Sequence, residues 1–479
     1  MNAPSPEPEA PQTPPPCPKT ERSRRELFLA MAGVAATVVL VAFDSTIVST
    51  SLPRVAQALD GMALYAWAGT GYLLATAASI MIFGRLGDLF GRKPLMLLSV
   101  SIVALGSLLC GLAQNMPQLI AFRTVQGIGA GMMIATAFAA PADLFPDARE
   151  RVRWMAMISA TFAVSSGIGP VLGGAVTQAL GWRAAFFIAP VAAAVALLLL
   201  VRHFPNMKPQ HASRPRIDWL GAALLVVGVA APLAALELAF APGDRAHPWW
   251  GLALAATGVL AWWVLVPLER RVDAPIFPLR ILASRESQLL NVAAVATGAI
   301  MFILIFYGPL LLQHELGYTP SHAGLLMTPL VVGIPIGSLV NGRLFPRQGE
   351  PQRLMVFGSA LLATGSGLML TVGAGSADLW ILLVFLINGV GLGFMLPNLT
   401  LFMQMLAARA DVGAASALVQ MTRAVGSATG TAAVGIAITH ASVLTGVRIG
   451  LVLCLALGLL CAVVTHNIQM KNAMSAVRR

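Results

Sequence analysis

Apolar residues along this chain neither alternate nor keep to one stripe of a helix. They come in unbroken runs of about 20 residues, separated by short polar breaks. At a rise of about 1.5 Å per residue, such a run crosses the ~30 Å hydrocarbon layer of a bilayer as an α-helix. Fourteen runs are present, over residues 27–49, 66–86, 95–113, 118–140, 155–178, 183–202, 218–239, 250–268, 289–312, 322–342, 353–373, 379–400, 412–438 and 447–466. The pattern predicts an all-α membrane protein with fourteen transmembrane helices.

Composition agrees with that reading, for the chain is 57% hydrophobic and only 11% charged. A soluble domain carries about 25% charged residues. The net charge of +11 would suggest nucleic acid in a soluble protein, but its distribution gives another cause. With both termini placed in the cytoplasm, 25 of the 31 Lys and Arg fall in the tails and inner loops, four fall in outer loops, and Arg123 and Arg423 lie within spans. That is the positive-inside bias of a multi-pass protein with an even number of spans, and no nucleic-acid partner is needed. Residues 1–26 are Pro-rich with no apolar core and read as a disordered cytoplasmic tail. The first apolar run has no small-residue cleavage pattern and reads as a retained span. Cys17, Cys110, Cys454 and Cys461 have neither metal-ligand spacing nor a disulfide framework. His-Glu-x-x-His, Gly-x-Ser-x-Gly and P-loop motifs are all missing, so enzymatic chemistry, a metal, an organic cofactor and ATP hydrolysis are not expected. Arg makes up 27 of the 31 basic residues, and Ala, Gly and Leu dominate, a composition that suggests a bacterium with GC-rich codons.

The chain repeats itself. "QGIGAG" at 126–131 returns as "NGVGLG" at 388–393, and "FGRL" at 83–86 returns as "NGRL" at 341–344. Two separate pairs at nearly constant offset indicate a duplicated bundle. The predicted organisation is a tail (1–26), an N-terminal six-helix bundle (27–203), linkers with two spacer helices (204–288), a C-terminal six-helix bundle (289–468) and a cytoplasmic tail (469–479).

Charge inside the spans is rare, which makes each instance a candidate for chemistry. Asp44 lies deep in the first span within "FDSTIVSTSLP", where a carboxylate persists only if it faces a cavity, finds a partner or takes up a proton. Arg123 and Gln126 lie in the fourth span within "RTVQGIGAG". The position that answers to Arg123 in the second half is Phe385, so one half alone carries the buried cation. "GRLGDLFGRK" at 84–93 concentrates Arg85, Asp88, Arg92 and Lys93 in a short inner loop, where Gly84, Gly87 and Gly91 allow a tight turn. Arg92 and Lys93 are expected at the lipid headgroups. "SSGIGPVLGG" at 165–174 places Gly169, Pro170, Gly173 and Gly174 on the fifth span, where small residues let helices touch.

Taken together, these stretches resemble the major facilitator superfamily, and within it the 14-span drug:proton antiporter branch, over residues 27–468. The resemblance implies the major facilitator fold of two six-helix bundles plus two spacer helices. It assigns proton coupling to Asp44 and Arg123. It further makes Gly84, Arg85, Asp88, Gly91, Arg92 and Lys93 a cytoplasmic gate, and Gly169, Pro170, Gly173 and Gly174 the antiporter motif. Leu89 and Ser49 depart from the branch's usual basic residue and Asn, and Ser165 replaces a Gly. Near Asp44, Arg123 would hold the carboxylate ionised, and proton uptake would require the pair to loosen.

The function expected from the sequence is therefore proton-driven export of lipophilic, cationic small molecules across a bacterial inner membrane by alternating access. Its partners are those substrates, protons and the bilayer, and a monomer suffices. Phe43, Gln126, Phe162, Phe306, Tyr307, Met327, Met421 and Arg423 are candidate substrate contacts. Export of a metabolite, siderophore or amphiphile on the same fold is the alternative, and a sensor that moves nothing is a minor one.

Overall fold

The computed structural model describes residues 23–145, 148–206, 218–239, 248–272, 279–345, 352–407 and 412–468. The tail up to residue 22, most of the linkers beside the spacer helices, the C-terminal tail and the side chains of Arg85 and Asp88 lie outside the described residues. Fourteen α-helices are described: α1 (Arg24–Ala58), α2 (Tyr65–Phe90), α3 (Arg92–Leu112), α4 (Met116–Leu144), α5 (Ala148–Leu180), α6 (Trp182–His203), α7 (Trp219–Ala239), α8 (Pro248–Glu269), α9 (Arg285–Leu310), α10 (Pro320–Leu344), α11 (Gln352–Met369), α12 (Asp378–Leu406), α13 (Val412–His440) and α14 (Val443–His466). Each answers to one apolar run of the sequence.

Within the described residues, ten helical segments are long and apolar enough to cross a membrane. α7 contributes a shorter apolar stretch, Trp219–Pro232, and α5, α11 and α13 are not among the ten. Those three are rich in Gly, Ala and Ser, which carry less hydropathy but allow closer packing. The first helix begins at Arg24, inside the segment expected to be a disordered tail. The cause is a capping box: Ser23 accepts from the Glu26 backbone N–H, and the Glu26 carboxylate accepts from that of Ser23.

Helix pairing repeats between the two parts of the chain. α1 packs on α4, α5 and α6, α2 on α4, and α3 on α4 and α6. In the same pattern α9 packs on α12, α13 and α14, α10 on α12, and α11 on α12 and α14. Across the two sets, α2 lies on α13 and α5 on α10, two contacts that exchange when the sets are exchanged. α7 and α8 pack on each other, and α7 also touches α2 and α13.

Glycines set the depth of these contacts. A Cβ on Gly174 of α5 would strike the Pro320 carbonyl of α10, and one on Gly324 of α10 would strike the Pro170 carbonyl of α5. Backbone therefore meets backbone along the α5–α10 seam. Two hydrogen bonds also join the sets among the described residues. The Tyr65 hydroxyl donates to the Phe306 carbonyl at 2.7 Å, and Gln313 Nε2 donates to the Thr50 carbonyl at 3.0 Å. Gln313 reaches α1 from a π turn, Leu311–Glu315, that follows Pro309, whose missing N–H interrupts the helical ladder. These cross-set contacts lie toward the helix ends that the charge bias assigns to the outside.

The seam yields a direct test. Gly324→Val should lower the thermal unfolding temperature of the purified protein in detergent, corresponding to a loss of about 1–3 kcal/mol for overpacking. Gly342→Ala is the control, since a Cβ at Gly342 meets nothing within 4 Å; equal stability of the two variants would contradict the packing described.

Candidate functional site

Among the described residues Asp44 is the acid buried in mid-span, and residues of α2, α3 and α4 surround it. Asp44 on α1 is 3% exposed, and Arg123 and Gln126 on α4 are both fully buried. Three residues apart, these two share a face of α4, so one helix presents both donors to the carboxylate. Arg123 Nη1 lies 3.3 Å from Asp44 Oδ2 and donates to Gln126 Oε1 at 2.8 Å. Gln126 Nε2 donates to the other carboxylate oxygen, Asp44 Oδ1. Arg123 Nε donates to the Ala68 carbonyl of α2 at 3.5 Å, and its guanidinium lies over the Tyr72 ring, 4.1 Å from the centroid. Cys110 of α3 approaches Gln126 Oε1 at 3.9 Å.

Local sequence explains the convergence. Gly127, beside Gln126, rests on the Tyr72 carbonyl, and Gly131 rests on the Thr76 carbonyl. The Thr76 hydroxyl bridges the carbonyls of Tyr72 and Gly127 at 2.7 and 3.1 Å. "QGIGAG" is thus the smooth face by which α4 is pressed against α2, and that pressure carries Arg123 to Tyr72. On the other side of α1, Gly169 abuts Thr46 and Gly173 abuts the Ile47 carbonyl. The motif read in α5 accordingly clamps the helix turn that follows Asp44, while Pro170 and Gly174 meet α10.

The pair Asp44 and Arg123 is brought together as the sequence suggested, and Gln126 joins it instead of standing free for a substrate. Tyr72, Ala68 and Cys110 were missed. A usable signal existed for Tyr72, since the chain has only four Tyr and a hydroxyl in an apolar run needs a partner.

The 84–93 stretch makes the expected sharp turn. Gly91, at φ 87°, ends α2 and begins α3. Arg92 and Lys93, expected at headgroups, are tied within the protein instead. Arg92 Nε donates to Asp143 at the end of α4, and Lys93 Nζ donates to the carbonyls of Val201 and Phe204, at 2.8 and 2.6 Å, at the end of α6. Charged side chains thus gather neighbouring ends of α3, α4 and α6, Lys93 doing so because a helix end offers carbonyls that lack an intrahelical donor.

The expected substrate contacts divide into two groups. Phe306, Tyr307, Met327 and Met421 are buried in helix packing. Phe306 covers Gly69 of α2, the Tyr307 hydroxyl donates to the Thr431 carbonyl at 2.6 Å, and Met327 lies against the Gly308 position near Phe385. Their stripe serves contact between helices here. Phe43, Phe162 and Arg423 are half-buried.

Comparison with known proteins agrees with this architecture. Residues 34–431 match the family model described as Major Facilitator Superfamily. Multidrug resistance protein 3 of Bacillus subtilis (strain 168) is 30% identical over 76% of this chain and 70% of its own length. Multidrug transporter protein MdtP of the same organism is 30% identical over 87% of this chain and 75% of its own. Efflux pump dotC of Dothistroma septosporum is 31% identical over 78% of this chain and 63% of its own.

Breaking a buried ion pair from one side strands the other charge and costs about 3–5 kcal/mol. Arg123→Gln should therefore lower stability strongly at about pH 8 and less at about pH 5, where the stranded Asp44 can hold a proton. Adding Asp44→Asn should restore most of the loss. Thermal unfolding across pH reads both, and a deficit independent of pH would contradict the arrangement.

Proposed function

The chain belongs to the Major Facilitator Superfamily, and we propose that within this family of membrane transporters it is a proton-coupled exporter of lipophilic small molecules. We read α1–α6 and α9–α14 as two six-helix bundles, with α7 and α8 as a spacer pair, in the inner membrane of a bacterium with both termini in the cytoplasm. The relatives named as multidrug transporters and efflux pumps support export, as does the glycine clamp of α5 on α1 and α10.

One observation carries the coupling: Asp44, the mid-span acid among the described residues, is buried and paired with a cation and an amide. Both charges are held by contacts that a small helix movement would break. In the outward-open state, a proton from the external water binds the Asp44 carboxylate as Arg123 moves off toward Tyr72 and the Ala68 carbonyl. Neutral Asp44 no longer holds α4 by charge, and the bundles rock to close outside through the Tyr65–Phe306 and Gln313–Thr50 contacts. Release of the proton to the cytoplasm restores the pair described above. Substrate enters from that side, and the cycle returns it outward. A positively charged group on the cargo suits this scheme by competing with Arg123 for Asp44. Secretion of a metabolite, siderophore or amphiphile would use the same engine with different cargo.

The test uses inverted membrane vesicles with an imposed pH gradient. Uptake of ethidium, a lipophilic cation, and norfloxacin, a lipophilic zwitterion, is compared between the parent protein and Asp44→Asn. Gradient-driven uptake of at least one should be present in the parent and lost in the variant. Undiminished driven uptake by Asp44→Asn would remove Asp44 from the coupling, and a parent that moves no lipophilic compound would return the reading to secretion of a dedicated metabolite or to a sensor.

A further inference from the structure

A second intramembrane cation has no place in the scheme above. Arg423 is the twelfth residue of α13, which puts it roughly 16 Å of helix from the start at Val412. Its stem lies beside Gly298 of α9, and the side chain is half-buried. Among the described residues its guanidinium makes no hydrogen bond and no ion pair, in contrast to Arg123, whose charge Asp44 answers. Within α9–α14 the described acids sit only at helix ends: Glu286 opens α9, Glu315 closes its π turn, and Asp378 opens α12. Among the described residues the mid-span charges are thus Asp44, Arg123 and Arg423, and no described acid answers the positive one on α13.

An isolated cation at such depth costs several kcal/mol unless water or an anion reaches it. The surroundings of Arg423 are suited to an anion. Gln420, three residues earlier on the same helix face, has a buried Oε1 with no hydrogen-bond partner. Its amide, turned about, would offer an N–H donor at that buried position. Beside them the Thr422 hydroxyl donates to Asn291 Oδ1 at 2.8 Å, and Asn291 Nδ2 donates to the Ser287 carbonyl at 2.8 Å. This chain of hydrogen bonds pins α13 to α9 and leaves the Arg423 fork uncommitted. A guanidinium in that state matches a carboxylate, sulfonate or phosphate through two parallel N–H···O bonds.

We propose that Arg423, assisted by Gln420, is the subsite for an acidic group of the transported molecule, so that the cargo is a lipophilic acid or a zwitterion rather than a simple cation. This assignment rests on the export reading. A molecule whose only charge is positive is repelled by Arg423. One that bears an acid is held on α13 while its apolar part occupies the space between the bundles. Anionic lipid could present the same chemistry, but a headgroup would have to descend to the middle of α13.

The experiment measures thermal unfolding of the full-length protein in maltoside micelles with naphthalene-2-carboxylate or its uncharged partner, naphthalene-2-carboxamide. The acid should stabilise the parent more than the amide does. Arg423→Gln should unfold no earlier than the parent without ligand, because it removes an unpaired buried charge, and it should lose the difference between acid and amide. Arg423→Lys, which keeps the charge but not the fork, should keep only part of it. Equal shifts with acid and amide in the parent, or an acid preference that survives in Arg423→Gln, would overturn the subsite. Stabilisation by phosphatidylglycerol in a parent indifferent to the naphthoate would reassign Arg423 to lipid and likewise overturn it. The vesicle assay keeps the two readings separable: driven transport without acid preference sinks the subsite alone, and acid preference without driven transport sinks the export reading alone.

Discussion

A carboxylate and a guanidinium held together out of water constrain everything around them. Neither can be left alone at that depth without a cost of several kcal/mol, so the helices that carry them must stay in register or supply another partner. In this protein the pair is Asp44 on α1 and Arg123 on α4, and Gln126, Tyr72 and the Ala68 carbonyl are arranged to receive whichever member is released. The donors on Arg123 are divided between Asp44, Gln126, Ala68 and a ring face, so no single contact fixes its position. That division lets Arg123 keep some contacts when another is lost.

The rest of the fold delivers that pair and makes it movable. Glycines in α4 bring it against α2, and glycines in α5 bring it against α1 and α10, so the two seams that border the site are made largely of backbone. Seams of this kind have few interlocking side chains and can slide or hinge with little repacking. The Tyr65 hydroxyl and Gln313 Nε2 close the end that the charge bias assigns to the outside by donating to backbone carbonyls, which are present whatever the neighbouring side chains. The second half keeps the helix pairing but not the charges. Where α4 has Arg123, α12 has the fully buried Phe385, and where α4 has Gln126, α12 has Asn388, which is turned back on its own helix through the Val384 carbonyl. Its one deep charge is Arg423. The repeated helix pairing thus gives a symmetric frame with an asymmetric distribution of charge.

The helices could be read from the sequence because a bilayer demands long apolar runs and little else produces them. Asp44 and Arg123 could be read because a charge inside such a run is rare. Their neutral partners were harder to read: the scarcity of Tyr marks Tyr72, but its ring contact and the carbonyl of Ala68 depend on placement in space, which local pattern does not encode. The same holds for Arg92, whose partner Asp143 is 51 residues away and whose position at a loop looked like an ordinary headgroup contact. The aromatic and Met stripe on α9 and α10 was ambiguous for a related reason. A helix that packs on several neighbours buries such residues in seams, and periodicity alone does not separate a seam from a pathway. Helix starts were blurred by a few residues until the Ser23–Glu26 capping box was seen to extend α1.

The central claim is that cargo and proton compete through the Asp44–Arg123 pair. Proton exchange on cargo binding measures this without transport: purified protein in weakly buffered detergent with a pH indicator, titrated with a compound that the protein moves. Near the pH where half the molecules hold a proton at this site, cargo addition should release protons from the parent and none from Asp44→Asn at equal cargo occupancy. Identical release from both proteins would show that the titrating group lies elsewhere and would contradict the account.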